Sequence, residues 1–178
     1  MKFLIASDIH GSFFFAKKVV EMMEKEKAET LILLGDIYNH GPRNPFPEEY
    51  NPGEVAILLN SIKDKLIVVK GNCDSEVDKM ISEFDFFENT IVVSGEKTVF
   101  FTHGHVYNKD NLPKTKFDAV VYGHFHTGFI EKMGEIVVAN AGSVSLPKNN
   151  TPSSYMILED GVLTLKNING ETIDKTSL

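Results

Sequence analysis

The chain has 178 residues, 42% hydrophobic and 24% charged, a composition that fits one folded domain and excludes a disordered chain. Its single cysteine excludes an intrachain disulfide and so a disulfide-stapled secreted scaffold. A net charge of −7, from 18 basic and 25 acidic side chains, argues against a partner that is a nucleic-acid polymer.

The first apolar run, Phe3 to Ser7, is shorter than the roughly 7–15 residues of a signal-peptide core. No apolar stretch reaches the ~20 residues that cross a bilayer. The sequence therefore reads as a cytoplasmic protein with no membrane partner. Residues 3–6 predict a buried strand that ends in the polar loop Ser7 to Gly11. Residues 12–27 carry helical spacing, with Phe15, Val19 and Met22 on one stripe and Lys17, Lys18, Glu21 and Lys25 largely outside it. Residues 30–34 predict a second buried strand, ending in Gly35-Asp36. Residues 37–52 hold four prolines and no periodicity, and a loop of that length in a compact domain is usually functional or disordered. A helix over 53–62 and a strand over 66–69, ending in Gly71-Asn72-Cys73-Asp74, complete a β-α-β-α-β pattern and predict parallel strands.

The second half predicts strands in pairs. Residues 91–93 and 98–102 read as a hairpin, 119–122 as a strand ending in Gly123-His124-Phe125-His126, and 129–132 with 136–139 as a second hairpin. Residues 154–158 and 162–166 form a third around Asp160-Gly161. The polar tail from Asn169 reads as frayed. With no repeat or linker, residues 1–178 read as one domain in which two mixed sheets pack together with flanking helices.

The side chains that bind metals stand where strands end. Asp8 and His10 follow the first strand, Asp36 the second and Asn72 the third, and His103, His105, His124 and His126 follow two later ones. Ligands bind outside the carboxyl ends of strands in α/β sheets. Asp8-x-His10, Gly35-Asp36 and Gly71-Asn72-Cys73-Asp74 each read alone as a turn or a chance pair, while the two histidine pairs are stronger, since a pair two apart at a strand end can aim both imidazoles into one pocket. The ordered set of five strand ends points to a metal site. Its mixture of carboxylate, amide and imidazole suits Mn, Fe, Zn or Ni over a thiolate-rich structural zinc site.

Asp8-x-His10, Gly35-Asp36, Gly71-Asn72, His103 and Gly123-His124-Phe125-His126 resemble, in the same order, the signature of the calcineurin-like metallophosphoesterases. Residues 35–44, 71–78 and 102–105 are more closely similar to the YfcE-type bacterial phosphodiesterases. The resemblance implies an α/β fold, a four-layer α/β/β/α sandwich. It also implies two divalent transition metals, manganese foremost, with Asp8, His10 and His126 on one and Asn72, His103 and His124 on the other. Asp36 would bridge the pair and belong to the catalytic group. Two cations about 3.5–4 Å apart acidify a bridging water and neutralise phosphate oxygens during in-line attack, so the activity implied is hydrolysis of small phosphodiesters by a metal-bridging hydroxide.

Two positions depart from the broad family pattern. Cys73 stands where a catalytic histidine is usual, although the same substitution looks typical of the YfcE type; the proton donor is then Cys73 or His105. Cys73 also reads as a small residue packed beside the site, and His105 as a hydrogen-bond partner behind it. The family's Asn-Pro-Gly-Ser is here Asn140-Ala141-Gly142-Ser143. Arg43 is the only arginine in the chain and lies in the long loop beside His40 and Asn44. A guanidinium grips phosphate with two bonds where lysine cannot, so these three are the candidates for substrate binding. Phe84, Phe86 and Phe87 read as covering a sheet edge or a subunit contact, which leaves a homo-oligomer open. Alternative functions are a phosphomonoesterase or protein phosphatase of the same fold, and a non-catalytic scaffold like the small retromer subunit. The complete ligand set argues against the scaffold, and the acidic chain against phosphoprotein.

Overall fold

The computed structural model describes residues 1–178, beginning with strand β1 (Lys2–Ala6), helix α1 (Phe13–Lys25), strand β2 (Thr30–Leu33), helix α2 (Pro52–Asn60) and strand β3 (Leu66–Val69). The three strands are parallel neighbours, with Ala6 level with Leu33 and Leu33 level with Val68. Each helix begins where a side chain satisfies an otherwise free amide. Ser12 Oγ accepts from Phe15 N–H at 3.2 Å, and Asn51 Oδ1 from Glu54 N–H at 3.3 Å, with Pro52 fixing the first helical turn.

Helix α3 (Glu76–Ile81) and the two-residue strand β4 (Phe86–Phe87) follow, and β4 pairs in parallel with β3 at the sheet edge. Neither element is legible in the sequence. α3 buries none of its residues and so has no apolar stripe, and β4 is too short to show a period. Phe86 and Phe87 thus form the edge of a sheet.

Strands β5 (Thr90–Ser94), β6 (Lys97–Phe101), β7 (Ala119–Tyr122), β8 (Phe129–Met133) and β9 (Ile136–Asn140) make a second sheet in the order β5-β6-β7-β9-β8. The chain then returns to the first sheet through β10 (Ser154–Glu159), β11 (Val162–Asn167) and β12 (Thr172–Ser177), giving the order β12-β11-β10-β1-β2-β3-β4. The tail beyond Asn169 is therefore not frayed. β12 pairs antiparallel with β11, Leu163 opposite Thr176. Its polar residues mislead because an outermost strand needs only its backbone bonds and leaves its side chains in water.

Side chains alternate across each inner strand and so build three cores. Leu4 and Ala6 of β1, Leu31 and Leu33 of β2, and Tyr155 and Ile157 of β10 face α1 and α2. Their neighbours Phe3, Ile5, Ile32, Met156 and Leu158 face the second sheet, meeting Val99, Phe101, Val121 and Ala139. Phe100, Val120, Tyr122 and Val138 form the third core, on the outer face of that sheet. This is the four-layer sandwich that the resemblance implies, except that the irregular segment carrying Tyr107, Leu112 and Phe117, and no helix, covers the last face. No helix is long and apolar enough to cross a membrane.

β1, β2 and β3 run in parallel, as do β6, β7 and β9, and contacts between the sheets, His103 Nδ1 with Leu34 O, His124 N–H with Asp8 Oδ2 and Val144 N–H with Ser7 O, bring their carboxyl ends to one rim of the sandwich. The middle core holds the two halves of that rim together. Ile5→Ala, at a fully buried position between the sheets, is expected to cost about 2–5 kcal/mol in urea titration. Ile173→Ala, on the exposed edge strand, is expected to cost no more than about 0.5 kcal/mol.

Candidate metal centre

At the rim the backbone turns sharply. Asp8, His10, Asp36, His124 and His126 all have φ between +51° and +64°. Left-handed geometry costs a non-glycine residue roughly 1–2 kcal/mol, so five strained residues in one place signal a site shaped for chemistry. Main-chain bonds hold the turns together: Asp8 N–H donates to Gly35 O, His10 N–H to Asp36 O, and Gly123 N–H to His103 O. The glycines permit the close approach. A Cβ on Gly71 would collide with the Asp36 carboxylate, and one on Gly123 with Ser7 and Asp8.

The side chains converge in two groups that share Asp36. In the first, Asp8 Oδ1 lies 3.3 Å from His126 Nε2 and 3.6 Å from His10 Nε2, and those two nitrogens are 3.2 Å apart. In the second, His103 Nε2 lies 3.0 Å from Asn72 Oδ1 and 3.3 Å from His124 Nδ1. Asp36 Oδ2 stands 3.7 Å from His10 Nε2 and 3.5 Å from His103 Nε2, facing both groups. Asp8, His10, Asp36, His103 and His126 are buried.

This geometry gathers more lone pairs than it has protons to satisfy them. His10, His103 and His126 each place Nδ1 against a main-chain carbonyl, of Asn39, Leu34 and Leu146, at 2.6–2.7 Å. A carbonyl only accepts, so Nδ1 carries the proton and Nε2 turns its lone pair inward. Two such lone pairs meet between the neutral rings of His10 and His126, whereas a second proton on His103 would sit on Nε2 and be donated to Asn72 Oδ1 at 3.0 Å. Asp8 Oδ1 is buried with no hydrogen-bond partner. Divalent cations fit this donor set. Burial opposes ionisation of Asp8, but the imidazoles of His10 and His126 hold its pKa well below the carboxylate range. Burial also opposes charge on His103, yet Asp36 and Asp8 push it up to about 9, while burial and the neighbouring His103 drive His124 down to about 4. The carboxylates stay ionised and draw protons onto the nearest ring.

The outward faces of the cluster are saturated with donors. Asp8 Oδ2 accepts from Ser7 Oγ–H and His124 N–H, and Asp36 Oδ1 from Cys73 N–H. The Asp8 carbonyl accepts from Ser143 and Ser145. Asp74, singled out by nothing in its own spacing, accepts three amides at once: Asp36 and Gly71 on Oδ2 at 2.8 and 2.7 Å, and Ile37 on Oδ1 at 2.8 Å. It ties the turn carrying Asp36 to the turn carrying Asn72. Burial pushes its pKa up to about 6 even against those backbone donors. Ala141 donates its N–H to Tyr122 O at 2.8 Å, a bond that proline could not make.

A cleft of about 800 Å³ opens over the cluster. Arg43, Asn44 and Cys73 line it, together with Phe125 and Lys148, which the sequence reading left unassigned. His40 is not in the lining: its ring stacks on Phe46 at 4.4 Å, and its carbonyl accepts from Asn44 Nδ2. His105 also stands outside the lining, 5.3 Å from the His103 ring. Burial and the Asp36 charge raise the Cys73 thiol to about 12.

Residues 1–160 match the family model of the calcineurin-like phosphoesterase superfamily domain. The chain is 45% identical over 175 residues to phosphodiesterase YfcE of Escherichia coli (strain K12), across 97% of this chain and 95% of that one. It is 27% identical over 151 residues to phosphodiesterase MJ0936 of Methanocaldococcus jannaschii, across 80% of this chain and 83% of that one. The solved structure of YfcE from E. coli superposes with a TM-score of 0.95 at 41% identity, over 99% of both chains. Vps29 of Chaetomium thermophilum shares the fold, with a TM-score of 0.68 at 17% identity over 99% of this chain and 97% of that one.

Asp74→Asn presents an amide NH₂ to backbone donors that need an acceptor. It is expected to lower stability by about 1–3 kcal/mol and to reduce the metal content of the purified protein. Urea titration and elemental analysis read the two effects, and wild-type values in both contradict the tie.

Proposed function

The chain belongs to the calcineurin-like phosphoesterase superfamily, and from that premise we propose that it is a metal-dependent phosphodiesterase acting on small phosphodiesters. The observation that carries the reading is the convergence of ligand-type atoms from His10, His126, His103 and Asn72 around two buried carboxylates. We assign Asp8, His10 and His126 to one divalent ion, Asn72, His103 and His124 to the second, and Asp36 to both. Manganese is the ion proposed first, since oxygen and imidazole donors in this mixture suit it. Bound there, the ions supply positive charge against the phosphoryl oxygens and acidify water into a nucleophile at neutral pH.

The chain's own groups do the rest. Carbonyls of Asn39, Leu34 and Leu146 lock the imidazoles in one tautomer, so their inward nitrogens need no reorganisation. Arg43 lines the cleft and offers a fork of donors to the phosphate oxygens, while Asn44, bonded to the His40 carbonyl, shapes the loop around it. Of the two candidates for protonating the departing alkoxide, Cys73 lines the cleft and His105 does not. We assign the step to Cys73, which lies in the cleft with its N–H on the Asp36 carboxylate.

Hydrolysis of bis(p-nitrophenyl) phosphate and of p-nitrophenyl phosphate, measured across Mn, Fe, Zn and Ni, tests the reading. Faster turnover of the diester is expected, with loss of activity to chelators. Preference for the monoester would favour a phosphomonoesterase, and no turnover with any metal would favour the scaffold.

Arg43→Lys keeps the charge and loses the fork. It is expected to retain both metals and to lose roughly tenfold to a hundredfold in kcat/KM, the scale of one charge-assisted hydrogen bond. A loss confined to KM marks a contact made equally to substrate and transition state, and a fall in kcat marks one that tightens as charge develops. Wild-type kcat/KM at full metal occupancy contradicts the role.

A further inference from the structure

The cleft over the donor cluster is polar, and Phe125 is its only phenyl ring. That ring is 46% exposed and lines the cleft together with Arg43 and Lys148. A single exposed phenylalanine is ordinary on a protein surface. This one is unusual in being held. Its ring meets Tyr122 at 6.0 Å and 72°, and His124 at 5.1 Å and 82°. Both contacts are close to edge-to-face, and Tyr122 is itself buried. The Phe125 N–H donates to Gly123 O at 2.7 Å, and the residues on either side, His124 and His126, both sit in left-handed backbone. Phe125 is thus fixed to the same turn that carries two candidate ligands, at a set distance from the place where a phosphate would react.

A rigid aromatic surface beside a phosphate site has a definite use. A phosphodiester carries two ester arms, and a phosphomonoester only one. An arm that leaves the phosphate along this wall covers the open part of the phenyl ring. A flat π-system gains most from that, because offset stacking matches its quadrupole and its shape, whereas an aliphatic arm meets the ring with fewer atoms. We propose that Phe125 is the platform for one ester arm and that the site prefers phosphodiesters whose arm is flat and aromatic. The proposal rests on the diesterase reading in naming the arm as part of a substrate. The chemistry recognised is the π-face itself, which a simple aryl group and a nucleobase share.

Calorimetric binding to the Mn-loaded protein tests this, with dimethyl, dicyclohexyl and diphenyl phosphate and thymidylyl-thymidine as probes. Dicyclohexyl phosphate matches the bulk and apolarity of the diphenyl ester without its flat face. Wild-type protein is expected to bind diphenyl phosphate about tenfold more tightly than dicyclohexyl phosphate, the scale of one stacked ring. Phe125→Ala is expected to abolish that difference while dimethyl phosphate binds as before. A tenfold response of thymidylyl-thymidine to the same substitution identifies a nucleobase as an accepted arm, and no response restricts the arm to simple aryl groups. Should Phe125→Ala lose its metals, Phe125→Leu, which keeps apolar bulk and removes the π-face, is read in the same way. Equal binding of diphenyl and dicyclohexyl phosphate by the wild type overturns the platform, as does a ratio unchanged in both variants. Because the ranking compares affinities and not rates, a protein that hydrolyses no diester yet keeps the ranking would refute the diesterase reading and leave the platform standing.

Discussion

Two carboxylates buried within reach of the same imidazoles set the terms for the rest of this molecule. Asp8 and Asp36 are ionised, almost wholly out of water, and surrounded by nitrogens whose lone pairs point at them and at one another. Like charges in a poorly solvated interior repel strongly, and burying an ion without a partner costs several kcal/mol. No lysine or arginine is buried anywhere in the chain to relieve it. Protonated histidine does so in part, as the raised pKa of His103 records. Divalent cations do so fully, and the inward lone pairs are already arranged for them.

The fold is organised to hold that arrangement against its own strain. Five candidate ligands occupy left-handed backbone, a conformation that each adopts at a cost. What offsets it is the packing beneath. Each strand that ends at the rim is buried on both faces, with Leu4 and Ala6 on one side of β1 and Phe3 and Ile5 on the other. Above the cores, fixed donors fill the outward lone pairs: Ser7 and the His124 amide on Asp8, the Cys73 amide on Asp36, Ser143 and Ser145 on the Asp8 carbonyl. Asp74 then joins two of the turns. Few of the rim's polar groups then have another partner to take.

Much of this is legible in the sequence, for a physical reason. Strands buried on both faces are continuous apolar runs, and a polar residue directly after such a run is conspicuous, so Asp8, Asp36, Asn72, His103 and His124 mark themselves. Asp74 does not, because its work is to accept three amides that only the folded turns bring together. Lys148 and Phe125 reach the cleft through loop geometry that no periodicity encodes. His40 shares a loop with Arg43 and Asn44, but its ring packs on Phe46 and Tyr50. β12 reads as a frayed tail because an edge strand bonds through backbone alone, and the third core is capped by Tyr107, Leu112 and Phe117 from a segment without regular structure. Burial and backbone pairing thus leave a trace in sequence, whereas convergence of loops does not.

The most direct test of the account is anomalous diffraction at the manganese edge from crystals of the Mn-loaded protein. The account predicts two peaks at the rim, one among Asp8, His10 and His126, the other among Asn72, His103 and His124, with the Asp36 carboxylate touching both. A single peak, two peaks that Asp36 does not join, or manganese bound away from these residues would contradict it.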